Sequence, residues 1–94
     1  MSPPIQHMPE ISRFYGIVIG MFYNDHAPPH FHVRYNEFKA SIAIQNFELM
    51  EGNLPPKVLG MVIEWAAVHQ SELENDWILA KSQQQPQKID PLKR

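Results

Sequence analysis

Hydrophobic positions follow two periods along this chain, and the change falls at GNLPP, residues 52–56. Before it the period is two. The run IVIGMFY, preceded by SRFYG, is rich in β-branched and aromatic residues and predicts one strand from residue 11 or 12 to residue 23. Alternation puts Tyr15, Ile17, Ile19, Met21 and Tyr23 on one side, with Phe14, Gly16, Val18, Gly20 and Phe22 on the other. Gly16 and Gly20 would leave a trough there for a backbone or a ligand. Residues 24–29 form a connection, because Asn-Asp starts turns and proline cannot donate to a ladder. HFHVRY then alternates, Phe31, Val33 and Tyr35 against His30, His32 and Arg34; Asn36-Glu37 reads as a hairpin turn, and FKASIAI returns with Phe38, Ala40, Ile42 and Ile44 inward. A short further strand is expected over residues 47–50.

After GNLPP the period becomes 3.6. Leu59, Val62, Ile63, Ala66, His69, Leu73 and Trp77 form one stripe over residues 56–81, with proline tolerated in the first turn. Either one helix of this length crosses the sheet or two helices meet at His69-Gln70-Ser71, where Ser71 and Glu74 would make a capping box. His69 is expected as a core histidine bonded to a sheet carbonyl, Trp65 and Trp77 as packing, and Glu64, Glu72, Glu74 and Asp76 as the wet face of the helix. The fold class that follows is α+β: an antiparallel sheet of three to four strands with a long C-terminal helix, straight or kinked, on one face. The expected core is Ile17, Ile19, Met21, Phe31, Val33, Phe38, Ile42, Val62, Ala66 and Leu73.

Length bounds the organisation. A chain of 94 residues holds one hydrophobic core, here residues 8–81, after an extension at 1–7 and before a polar, Gln-rich, proline-broken tail at 82–94 that is mobile alone and available to a partner. Neither of the longest apolar runs reaches the roughly 18–20 residues of a membrane span, and the N-terminus lacks the basic-then-apolar pattern of a secretion signal. With no cysteine, disulfides and thiolate metal sites are excluded. The cytoplasm is the expected compartment. A net charge of −2 argues against a broad nucleic-acid footprint, so any RNA contact is local.

The candidate chemistry lies in NDHAPPHFHVRY, which holds three of the five histidines. Imidazoles two apart on a strand point the same way, so His30 and His32, with His26 folding back across the Pro-Pro corner, could hold zinc or another divalent metal; Asp25 would be a further ligand or would orient one. Nickel or copper capture by the cluster is expected in vitro. Alternatively, His30 and His32 act as general base and acid on RNA or a phosphate ester, with Arg34 or Lys39 stabilising a charged phosphorane. A third reading is architectural: prolines stiffen a strand entry, and the histidines are its hydrogen-bonded, solvated trim.

MPEISRFYGI, the NDHAPPHFHV block, and the helix led by LPP and carrying EWAAVH together resemble the bacterial domain-of-unknown-function family 4160, from residue 8 to residue 92. The family pattern falls on Ser12, Arg13, Phe14, Tyr15, Gly16, Asn24, Asp25, His26, Pro28, Pro29, His30, Phe31, His32, Glu64, Trp65 and His69. On it, binding residues are expected among Arg13, Tyr15, Asn24, Asp25 and His26. Gly20 stands where the pattern leads one to expect a larger side chain, and MSPPIQH precedes the family-like start. The resemblance implies a gene beside that of a second small protein, in what looks like a toxin–antitoxin pair. It therefore implies a toxin-like domain that binds a small cognate partner; joined to the residue reading above, the expectation is action on RNA through His30, His32 and Arg34, none of which has an established role in the family. The alternatives are a non-catalytic binding module or antitoxin, and a metal-dependent hydrolase.

Overall fold

The computed structural model describes residues 8–93, so the extension expected at 1–7 lies outside the described residues. Five strands follow one another in the sheet in chain order, each antiparallel to the next: β1 (Glu10–Phe14), β2 (Ile17–Gly20), β3 (His30–Tyr35), β4 (Phe38–Ala43) and β5 (Leu49–Gly52). Helices α1 (Pro56–Val68) and α2 (Gln70–Lys81) complete the α+β layer. The class is as read from sequence, whereas the strand count and the single helix are corrected.

The extra strand comes from the segment expected to be one strand. Tyr15 and Gly16 both take left-handed backbone, with φ of 51° and 78°, and pair Phe14 with Ile17. Two successive positive φ angles make the tight connection whose twist matches that of the strands it joins. Tyr-Gly lacks the Asn or Asp that usually announces such a turn, so the apolar run reads straight through it. The expected trough is also absent: Gly16 lies in the turn, and a Cβ built on Gly20 would meet the Met8 side chain at 2.6 Å. At the other end of the sheet, Phe47 takes φ 61° in the turn before β5 and bonds through its N–H to the Ala43 carbonyl. The last strand therefore begins two residues later than its sequence suggests.

Directly opposed residues share a face. Ile19 opposite Val33, Phe31 opposite Ile42 and Val33 opposite Ala40 form the buried face. It is closed by Val58, Val62, Trp65 and Ala66 of α1 and by Leu73, Trp77 and Ala80 of α2. Of the expected core only Phe38 stays partly exposed, still packed against the cluster. Trp65 is fully buried between Phe14 and Phe31.

The helices meet at His69, which caps the end of α1 and the start of α2 with no side-chain bond to the backbone of either helix; the Ser71–Glu74 capping box does not form. Instead the Gln70 amide donates to the Ile44 and Gln45 carbonyls at 2.9 and 3.2 Å, pinning α2 to the end of β4. Those carbonyls are of the kind His69 was expected to reach. Its own Nδ1 lies 2.6 Å from Glu72 Oε1. Asp76 is also corrected: it is buried, not wet, because Leu73, Asp76, Trp77 and Ala80 fall at i, i+3, i+4 and i+7 on the inner side of α2.

The segment after α2, read as a tail, lies along its own domain. Gln87 N–H donates to Asp76 Oδ1 at 2.8 Å, Ile89 N–H to the Ile11 carbonyl at 2.8 Å, and the Trp65 indole to the Asp90 carbonyl at 2.7 Å. Pro86 and Ile89 are buried. Among the described residues no helix is long and apolar enough to cross a membrane.

Candidate metal centre

The loop joining β2 to β3 is held from both sides. Asn24, left-handed at φ 50°, donates its N–H to the Ala80 carbonyl at 3.0 Å, and Lys81 Nζ donates to the Asp25 carbonyl at 3.0 Å, so the C-terminal turn of α2 carries the loop. From the other side Ile44 N–H donates to the Pro29 carbonyl at 3.0 Å. These bonds turn the Asp25 side chain back over the start of β3.

Asp25 Oδ2 lies 2.9 Å from His30 Nε2 and 3.0 Å from His32 Nε2, and the two imidazole rings stand 4.9 Å apart, edge to face. Asp25 Oδ1 accepts the His26 N–H at 2.9 Å and also lies 2.9 Å from His26 Nδ1. Behind the rings, His30 Nδ1 meets the Pro28 carbonyl at 2.7 Å and His32 Nδ1 meets the Ser41 hydroxyl at 3.3 Å. His30 and His32 point the same way, as their spacing predicts. Their exposure differs: the His30 side chain is 2% exposed and that of His32 is 22%. His30 was expected to be at least partly exposed. Trp77 of α2, 5.3 Å from its ring, and the loop above it close it off.

Burial alone pushes the Asp25 carboxyl up, but the His32 hydrogen bond, the His26 N–H and the charges of His30 and His32 together hold it below its ordinary value. The two imidazoles are not equivalent. A carbonyl only accepts, so His30 Nδ1 carries the proton and the Nε2 of a neutral ring turns a lone pair toward a carboxylate oxygen. That contact requires a proton or a cation between the two atoms. His32 has no such constraint, because the Ser41 hydroxyl either donates or accepts.

One donor atom from each of Asp25, His30 and His32 lies within 4.8 Å of the other two. Two histidines and one carboxylate, each imidazole bonded through its second nitrogen, form the donor set of catalytic zinc sites that keep an open position. His26 stays outside the set, 74% exposed and facing the other carboxylate oxygen.

The remaining sequence candidates are dispersed. Arg13 is exposed on β1 and paired with Glu10 at 2.7 Å. Tyr15 sits in the β1–β2 turn, at the end of the sheet away from Asp25. Asn24 contributes through its backbone. Arg34 and Lys39 are direct neighbours across β3 and β4 and line, with His32, Ser41 and Phe22, an open cavity of about 300 Å³ on the sheet face turned from α1. Ser41, Phe22 and Trp77 were not singled out as site residues. Ser41 was legible, since it stands as far after the Asn36-Glu37 turn as His32 stands before it; Phe22, whose ring edges that of His32 at 4.7 Å, and Trp77 carry no such signal.

No curated protein and no solved structure matches the chain significantly. The family model described as a domain of unknown function, DUF4160, matches residues 16–78, which hold every residue of the centre, and the chain belongs to that family.

Proposed function

We propose that Asp25, His30 and His32 bind a divalent cation, zinc foremost, and that the chain is a metal-dependent hydrolytic domain acting in the cytoplasm as the toxin-like half of a two-gene pair. The observation that carries the metal reading is the 2.9 Å meeting of His30 Nε2 with Asp25 Oδ2, when His30 Nδ1 already donates to Pro28. Held by Asp25, His30 and His32, zinc would supply an activated water at neutral pH. Pro28 and Ser41 orient the imidazoles from behind, and the His26 N–H fixes the carboxylate by its second oxygen. Zinc titrated calorimetrically into chelator-treated protein should bind at one equivalent. Asp25→Asn or His30→Gln should weaken it by more than the about 10–100-fold that loss of an outer partner costs. A wild-type protein that takes up no zinc, cobalt, nickel or manganese overturns the centre.

A second reading is proton transfer without metal, favoured by the partly exposed His32 at the cavity, bonded to Asp25 on one side and Ser41 on the other. Cleavage that persists in EDTA would select it. The toxin side is tested by expression: growth arrest by the wild type, relieved in the His30→Gln/His32→Gln variant, supports it. Harmless expression that restores growth against the neighbouring gene product points instead to a non-catalytic antitoxin.

A further inference from the structure

The cavity beside the centre carries a feature that the metal does not explain. Two rows of cross-strand neighbours line this face: Gly20, His32, Ser41 and Glu51, and next to it Arg13, Val18, Arg34 and Lys39. In the second row Arg13 is neutralised by Glu10. Arg34 and Lys39 stand directly opposite each other and form no ion pair among the described residues. Like charges facing across a ladder are destabilising, and in a chain of net charge −2 neutralising partners are not scarce. Around one concavity the arrangement joins a planar fork of donors, an ammonium and a serine hydroxyl, with one carboxylate, Glu51, beside Ser41; the two cations opposite each other outnumber it and match the oxygens of a phosphoryl group.

We infer that Arg34 and Lys39 form the phosphate subsite of the active centre and that the substrate is a phosphodiester carrying a nucleoside. This assignment rests on the metal-dependent reading for the reaction but not for the binding. His32 and Arg34 are two residues apart on β3, about 6.6 Å along the strand, so a phosphoryl group on the Arg34 fork lies next to the His32 side of the centre. Phe22 supplies an aromatic wall against which one base can lie. The cavity of about 300 Å³ holds one phosphate with one neighbouring nucleoside, which agrees with a local footprint on a mildly acidic protein.

The test is a titration of chelator-treated, full-length protein with uridylyl-3′,5′-uridine and, separately, with inorganic phosphate, followed by backbone amide NMR shifts. The dinucleotide should bind more tightly than phosphate, perturb β3 and β4, and weaken with salt. Arg34→Gln and Lys39→Gln should each lose about tenfold in affinity, the size of one charge-assisted contact, while Arg13→Gln on the same face should change nothing. The positions are exposed, so the variants should keep the parent's spectrum and melting curve. No binding by the wild type, equal loss in Arg13→Gln, or full binding by Arg34→Gln/Lys39→Gln overturns the subsite. Equal affinity for phosphate and dinucleotide overturns the nucleoside. The two readings separate because the titration is run without metal: failure of the metal centre leaves this result standing, and zinc binding by Arg34→Gln/Lys39→Gln shows the centre intact where the subsite fails.

Discussion

The two faces of this sheet are built from alternate residues of the same strands, yet different rules govern them. Under the helices Ile19, Phe31, Val33 and Ile42 need only be apolar and of the right volume, since close packing has no direction beyond shape. On the opposite face each polar atom near the loop has a particular partner: Pro28 for one nitrogen of His30, Asp25 for the other, Ser41 behind His32. One face therefore responds to volume and the other to the identity of single atoms. The carboxylates repeat the contrast. Asp25 is held below its ordinary value by the partners around it, whereas Asp76, under the helices, is pushed up by burial, only partly offset by one N–H from Gln87, with Glu72 adding to the rise.

The largest effect expected from breaking this contrast is on the helix side. Phe31→Ala should cost about 3–5 kcal/mol in urea unfolding, through lost transfer energy and the cavity left beneath Trp65. A loss of less than about 1 kcal/mol would show that the face collapses around the gap. On the polar face His30→Gln should cost about 1–3 kcal/mol, because the buried ring that meets both Pro28 and Asp25 is exchanged for an amide that cannot reproduce both contacts. His32→Gln, at the same register but partly wet, should cost clearly less by the same measurement. Equal costs would mean that burial does not separate the two imidazoles.

Asp76 sharpens the comparison through pH. Its folded value lies above the 3.8 of an unperturbed carboxyl, so the folded state binds its proton more readily than the unfolded chain does. The charged form therefore penalises folding above the folded value, and the penalty disappears as pH falls through that value toward 3.8. The parent should gain stability relative to Asp76→Asn as the medium is acidified over this range. Glu72 and Lys88, which share the adjoining cavity, will modulate the slope. A pH-independent difference between the two proteins would overturn the assignment. The smallest effect belongs to Arg13→Gln, whose exposed ion pair with Glu10 is screened by solvent, so the melting curve should stay that of the parent.

What the sequence made legible follows from where local pattern suffices. HFHVRY, Asn36-Glu37 and FKASIAI announce a hairpin by alternation around a turn, and its register fixed which way His30 and His32 face. The Tyr15-Gly16 turn was hidden because an apolar run continued on both sides of it. Asp76 occupies a place in the inner stripe of α2, but a carboxylate at that spacing looks like a solvated position until the Gln87 N–H that meets it is known. His30's burial was beyond local pattern, since it depends on Trp77 forty-seven positions later in the chain. Asp25 was visible as a companion to the histidines; its place between both rings comes from the bonds that Asn24 and Lys81 make to hold the loop.

The strap formed by Gln87, Ile89 and Asp90 also gives the sheet a direction of growth. Ile89 already occupies a carbonyl of β1, whereas β5 has β4 as its only neighbour among the described residues. A strand added from another chain would find its place beside β5, on the edge next to Glu51 and the cavity, and the side chains of Glu48 and Glu51 there would discourage indiscriminate pairing. Among the described residues the two edges of the sheet therefore differ, one met by the chain's own C-terminal strap and the other bordered by acidic side chains.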